Sequence, residues 1–140
     1  MAAHGLQRLA AMDGAWRPAL DRHLYRFGYT MDIDLKPIRW LGTTRDDIRA
    51  QRPATRYELG QQLFRLQMGL MPNNYKPINT VGPGAYEVRV RDADGIARLM
   101  YVAKFHDTIC VLHVFTKKSM RTPKTDIDLA KRRYREARDG

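Results

Sequence analysis

Tyr86-Glu87-Val88-Arg89-Val90-Arg91, a turn at Asp92-Ala93-Asp94-Gly95, then Ala97-Arg98-Leu99-Met100-Tyr101-Val102-Ala103-Lys104 is the stretch that decides the fold. The first arm alternates apolar and charged residues with period two, the pattern of a half-buried strand. Asp-Gly at the end of a short loop is a hairpin signal. Pairing Arg91 with Ile96 sets Tyr86 opposite Tyr101, Val88 opposite Leu99 and Val90 opposite Ala97, a coherent apolar face. The same register sets Arg89 opposite Arg98 on the other face, with Glu87 and Arg91 alongside. Directly opposed like charges are destabilising, so the pair points to an anion bound there. The plainer reading is a row of solvated edge charges, with Glu87 neutralising a neighbour.

At 140 residues the chain is long enough for one domain with a real core. Lys and Arg outnumber Asp and Glu by 25 to 15, a net charge of +10 that implies a polyanionic partner. No apolar run is long enough to span a bilayer, so no membrane role is expected. The lone cysteine, Cys110, excludes an intrachain disulfide and a Cys-rich metal site. It lies in an apolar strand and reads as a buried free thiol, which fits a reducing cytoplasm. P-loop, dinucleotide, Gly-x-Ser-x-Gly and zinc patterns are missing, and neither cofactor nor metal is expected. His113, in an apolar strand, reads as a core histidine before a catalyst.

Outward from the hairpin, residues 1–30 read as an N-terminal extension, helical or loosely packed, and 31–140 as the domain proper. Leu6, Leu9 and Met12, then Trp16, Leu20, Leu24 and Phe27, fall at helical spacing, and Met31 is a natural start. Leu35 to Leu41 predicts a strand that Pro37 confines to an edge. Thr44 and Asp47 predict a capping box for a short helix to about Gln51. Pro53 opens a second helix with Leu59, Leu63, Leu66 and Leu70 on its stripe, widened by Tyr57 and Phe64, and Gly69 as its stop. Residues 71–84 read as a loop. After the hairpin, Phe105-His106-Asp107 turns into Thr108–Phe115, a strand covered on both faces. The basic loop Thr116-Lys117-Lys118-Ser119-Met120-Arg121-Thr122-Pro123-Lys124 follows. Thr122 as N-cap and Pro123 at the first position start a last helix with Ile127, Ala130, Tyr134 and Ala137 on one face. The expected architecture is α+β: a three-stranded antiparallel meander plus an N-terminal edge strand, two helices before it, one after it, and the helices on one side.

Lys36-Pro37-Ile38-Arg39-Trp40, the helical pair, the two hairpin arms, Leu112-His113-Val114-Phe115-Thr116-Lys117-Lys118, Thr122-Pro123 and the final helix form an ordered set. In that order they resemble the HigB-like, phage-derived branch of the RelE/ParE toxin superfamily over about residues 35–137. The resemblance implies a small toxin that cuts mRNA, commonly on the ribosome, and is neutralised by a helix-turn-helix antitoxin of the HigA kind. It sets Arg89 and Arg91 on the strand that bears catalytic lysines in RelE-type members. It sets Arg98 where an arginine binds the scissile phosphate, and Lys117 or Lys118 where a further cation follows the central strand. Glu87 stands where some relatives carry lysine, and the tyrosine that some relatives place near the last helix has no counterpart.

Metal-free RNA cleavage sends the ribose 2′-hydroxyl against the adjacent phosphate. The crowded phosphorane needs neutralising, and two oxygens exchange protons. Arg89 and Arg98 suit the non-bridging oxygens. Glu87 suits the hydroxyl proton or the orienting of an arginine, and Lys117 or Lys118 the leaving oxygen. Arg91, Lys104, Lys117, Arg121 and Lys124 are the candidates for gripping the RNA backbone. Two rivals share the scaffold: a non-enzymatic ParE-like gyrase inhibitor, and a basic module that binds nucleic acid without cutting it.

Overall fold

The computed structural model describes residues 34–140. The expectations for residues 1–30, and Met31 as a start, lie outside these described residues. Five strands and three helices follow one another: β1 (Ile38–Trp40), α1 (Thr44–Arg49), α2 (Pro53–Gln67), β2 (Tyr75–Pro77), β3 (Ala85–Asp92), β4 (Gly95–Phe105), β5 (Thr108–Lys117) and α3 (Lys124–Asp139). They build one mixed sheet in the order β1-β5-β4-β3-β2, with β1 parallel to β5 and the other pairs antiparallel.

The hairpin has the register that its alternation implies. Tyr86 faces Tyr101, Val88 faces Leu99, Val90 faces Ala97, and Arg89 faces Arg98. Asp92 pairs with Gly95, which leaves Ala93 and Asp94 as the loop. Asp92 accepts hydrogen bonds from the Thr55 hydroxyl and the Asp94 amide, and these, with Arg52 nearby, hold its carboxyl below the usual range. That carboxylate ties the hairpin tip to the first turn of α2.

Three expectations are corrected. The stretch 71–84 is not all loop, because Tyr75–Pro77 pairs with Tyr86–Val88 and makes a fifth strand. The helices do not share a side. Leu59, Leu63 and Leu66 of α2 and Ile48 of α1 pack with Val88, Val90, Leu99 and Tyr101 on one face. Ala130, Tyr134 and Ala137 of α3 pack with Ala85, Met100, Val102, Cys110 and Leu112 on the other. An apolar stripe on a helix shows that it is covered, not by which face of the sheet. The caps also shift by one residue: Thr43 and Pro123, not Thr44 and Thr122, occupy the N-cap positions.

Pro53 does open α2, and Gly69 follows its end with φ +83°. Leu70 and Tyr57 are exposed and stand off the core, unlike the three leucines between them. Strand β5 is buried from Ile109 to Val114, as its unbroken apolar run implies, and Cys110 is a buried free thiol whose pKa burial raises.

Candidate functional site

Pairing carries side chains across the sheet in rows, since residues in register share a face. One row runs Lys76, Glu87, Met100, His113; the next Arg89, Arg98, Phe115; the third Arg91, Ile96, Lys117. All lie on the α3 face, at the end where α3 begins. The basic loop from β5 to α3 crosses this end as a strap.

The strap gives the cluster its character. Arg98 and Glu87 are both 0% exposed. Arg98 Nη1 donates to Glu87 Oε1 at 2.8 Å, and Nη2 donates to the carbonyls of Ser119 at 3.0 Å and Met120 at 3.2 Å. The Thr122 hydroxyl reaches the other Glu87 oxygen at 3.4 Å. Two further cations stand by Glu87 Oε1, Arg89 Nε at 3.7 Å and Lys76 Nζ at 3.9 Å. One carboxylate against three cations leaves a local positive excess in a poorly solvated place. The Nε–H groups of Arg89 and Arg98 are buried and make no hydrogen bond.

Glu87 therefore neutralises neighbours, as the plainer reading had it, but in the interior and not at a solvated edge. An isolated buried charge would be prohibitive, and here the arginine and the strap carbonyls supply its compensation.

A second polar group lies beside the first. His113 Nε2 and Asp126 Oδ1 are 2.7 Å apart, the histidine ring stacks on Phe115 at 4.5 Å, and Lys117 Nζ is 3.6 Å from Asp126 Oδ2. Asp126 is in the first turn of α3, where a carboxylate is favoured by the helix dipole. It pins that turn to β5.

The fold brings together Glu87, Arg89 and Arg98, with Arg91 and Lys117 in the adjoining row. Lys118 and Arg121 are exposed on the strap and Lys124 on the helix start. Lys104 is elsewhere: six residues along β4 from Arg98, about 20 Å at 3.3 Å per residue, with its ammonium over Phe105. Sequence reasoning missed Lys76 and Asp126, and did not place His113 at the site. Lys76 was hidden in a three-residue strand among turn residues. Asp126 did carry a signal, being four residues before Ala130 on the buried stripe, where an acid needs a partner.

A small α+β domain with a positively charged, strap-covered sheet face is the class that this fold and site define. The chain matches the family model described as Phage derived protein Gp49-like (DUF891) over residues 46–135. It belongs to that family, which is part of the RelE/HigB-type toxin superfamily. No curated protein and no solved structure matches it. No helix among the described residues is long and apolar enough to cross a membrane.

Proposed function

We propose that the protein is the toxin of a toxin–antitoxin pair and an endoribonuclease that cuts mRNA, ribosome-associated, by metal-free attack of the 2′-hydroxyl on the scissile phosphate. One observation carries the reading. Two arginines stand directly opposed on a sheet face, each with a buried Nε–H that makes no hydrogen bond, although Arg89 Nε lies 3.7 Å from Glu87 Oε1. Opposed cations with spare donors are what a phosphate requires and what a merely structural ion pair avoids.

Arg98 and Arg89 take the non-bridging oxygens. Each such cation, aimed where charge develops, contributes a few kcal/mol to lowering the barrier. Glu87 orients both guanidinium groups and is the candidate acceptor of the hydroxyl proton. Lys117 or Lys118, at the margin, is the candidate donor to the leaving oxygen. Arg91, Arg121 and Lys124 extend the cationic surface along the RNA backbone. Lys104 is too far away to share the scissile phosphate and would meet RNA only at a distant nucleotide. The antitoxin expected beside it is a helix-turn-helix protein of the HigA kind, and the compartment is the cytoplasm.

The test is brief induction in cells, followed by mapping of mRNA 5′ ends and an assay of gyrase supercoiling. New mRNA ends with wild-type protein, lost with Arg89→Ala, are expected. Inhibited supercoiling on intact mRNA favours the gyrase-inhibitor alternative. Growth without arrest favours a plain nucleic-acid binder.

A further inference from the structure

We propose that the strap Lys118–Thr122 is a lid over a phosphodiester site. In the closed state its Ser119 and Met120 carbonyl oxygens take the place of two phosphate oxygens on Arg98. The inference deepens the ribonuclease reading and rests on it.

Two acceptor oxygens meet one guanidinium nitrogen, at 3.0 and 3.2 Å, from backbone that has no other task there. Of its side chains only that of Thr122 anchors the strap. Lys118, Ser119, Met120 and Arg121 are all exposed, Met120 by 68%. Its attachments are polar: the two carbonyls on Arg98 and the Thr122 hydroxyl on Glu87. Segments held by few buried apolar contacts open at low free-energy cost.

Its ends are fixed. At the near end Lys117 pairs with Ile96 in the sheet, and its carbonyl lies so close to Gly95 that a Cβ there would overlap it. At the far end Pro123 leads into α3, whose first turn Asp126 fastens to His113. Fixed ends and a middle whose side chains are exposed are the mechanics of a lid. Beneath it lies the Nε–H of Arg98, buried and without a hydrogen bond, a donor that the carbonyls do not reach. Lifting the strap frees Arg98 for a phosphate and leaves Lys118 and Arg121 on the rim. Because the closed form cannot bind, the apparent affinity for RNA falls by the fraction that is open.

Arg98 reports the state of the lid. The full chain is treated with phenylglyoxal and Arg98 modification is followed by peptide mass spectrometry, in wild type and in the Ser119→Gly/Met120→Gly variant. Slow modification of wild type, at least fivefold faster modification of the variant, and protection of the variant by a 2′-O-methyl RNA oligonucleotide are expected. In cleavage of a short RNA, the variant is expected to show a severalfold lower KM and kcat within about twofold of wild type. Modification of Arg98 only on global unfolding, equal in both proteins, marks a permanent cover and overturns the lid. So does RNA that binds without protecting Arg98. RNA that binds and protects Arg98, with no cut in it and no new mRNA ends in induced cells, leaves the lid standing and removes the nuclease. Cutting by wild type while Arg98 stays sealed in both proteins removes the lid alone. No RNA binding at low salt removes both.

Discussion

Arg98 shows how far burial changes the meaning of a residue. Read from sequence, it is one of a row of charges on the outer face of a hairpin, solvated or set against an anion. In the structure it is wholly enclosed and bonded to Glu87 and to two strap carbonyls. Removing one partner of a buried pair leaves the other uncompensated, typically at about 3–5 kcal/mol. Glu87→Ala is expected to lower stability by about that much in urea unfolding, and Arg98→Ala by less, since Lys76 and Arg89 remain near Glu87. The double variant Glu87→Ala with Arg98→Ala should lose less than the sum of these two single changes, and simple additivity would show that the pair is not coupled. Gly82 makes a different demand. It lies against the Tyr134 ring, whose hydroxyl donates to the Pro83 carbonyl at 2.6 Å. Gly82→Ala forces the ring off and is expected to cost about 1–3 kcal/mol by thermal unfolding. Tyr134→Phe, which removes one hydrogen bond, should cost about 1 kcal/mol.

Among the elements, the β4–β5 turn carries avoidable strain. His106 and Asp107 have φ of +55° and +52°, the left-handed region that a type I′ hairpin turn requires and that Asn-Gly satisfies best. His106→Asn with Asp107→Gly is expected to raise stability by about 1 kcal/mol, seen as a rise in Tm. The lost contact with Lys36, 3.6 Å and mostly exposed, subtracts little. At the other hairpin, Asp92 links stability to pH. The Thr55 hydroxyl, then the Asp94 amide, lower its pKa from the ordinary 3.8. A carboxyl depressed in the folded state stabilises above its unfolded pKa, and that share is lost as pH falls through the folded value. The urea midpoint should therefore drop from pH 5 towards pH 2.5, and less steeply in Thr55→Val. Equal slopes in the two proteins would remove Asp92 from the account.

On the scale of the whole molecule, RNA binding driven by a net charge of +10 must weaken with salt. On a single strand each phosphate contact adds about −0.7 to the slope of log K against log salt. Seven contacts, for Arg89, Arg91, Arg98, Lys117, Lys118, Arg121 and Lys124, give a slope of about −5. A flat response would mean that the cations do not meet the backbone. The sequence made the hairpin register legible because alternation and a turn signal each constrain it, and the two agree. It made α2 and the buried β5 legible through proline, glycine and apolar spacing. The same alternation shows which residues share a face, but not what lies over it. The cover on Glu87 and Arg98 comes from a strap more than twenty residues further along, held by backbone carbonyls that have no signature in side-chain pattern. The sidedness of α3 and the pairing of Tyr75–Pro77 are also decided by distant chain.

Both outer strands, β1 and β2, are three residues long; one follows Pro37 and the other ends at Pro77. Among the described residues, β4 has a strand on each side, while β2 lines β3 and β1 lines β5 over three residues each. Outer strands so short, each beside a residue that lacks an amide hydrogen, give a foreign strand little to zip onto. Fibrillar self-assembly through β1 and β2 is thereby discouraged, even when the protein accumulates without a companion.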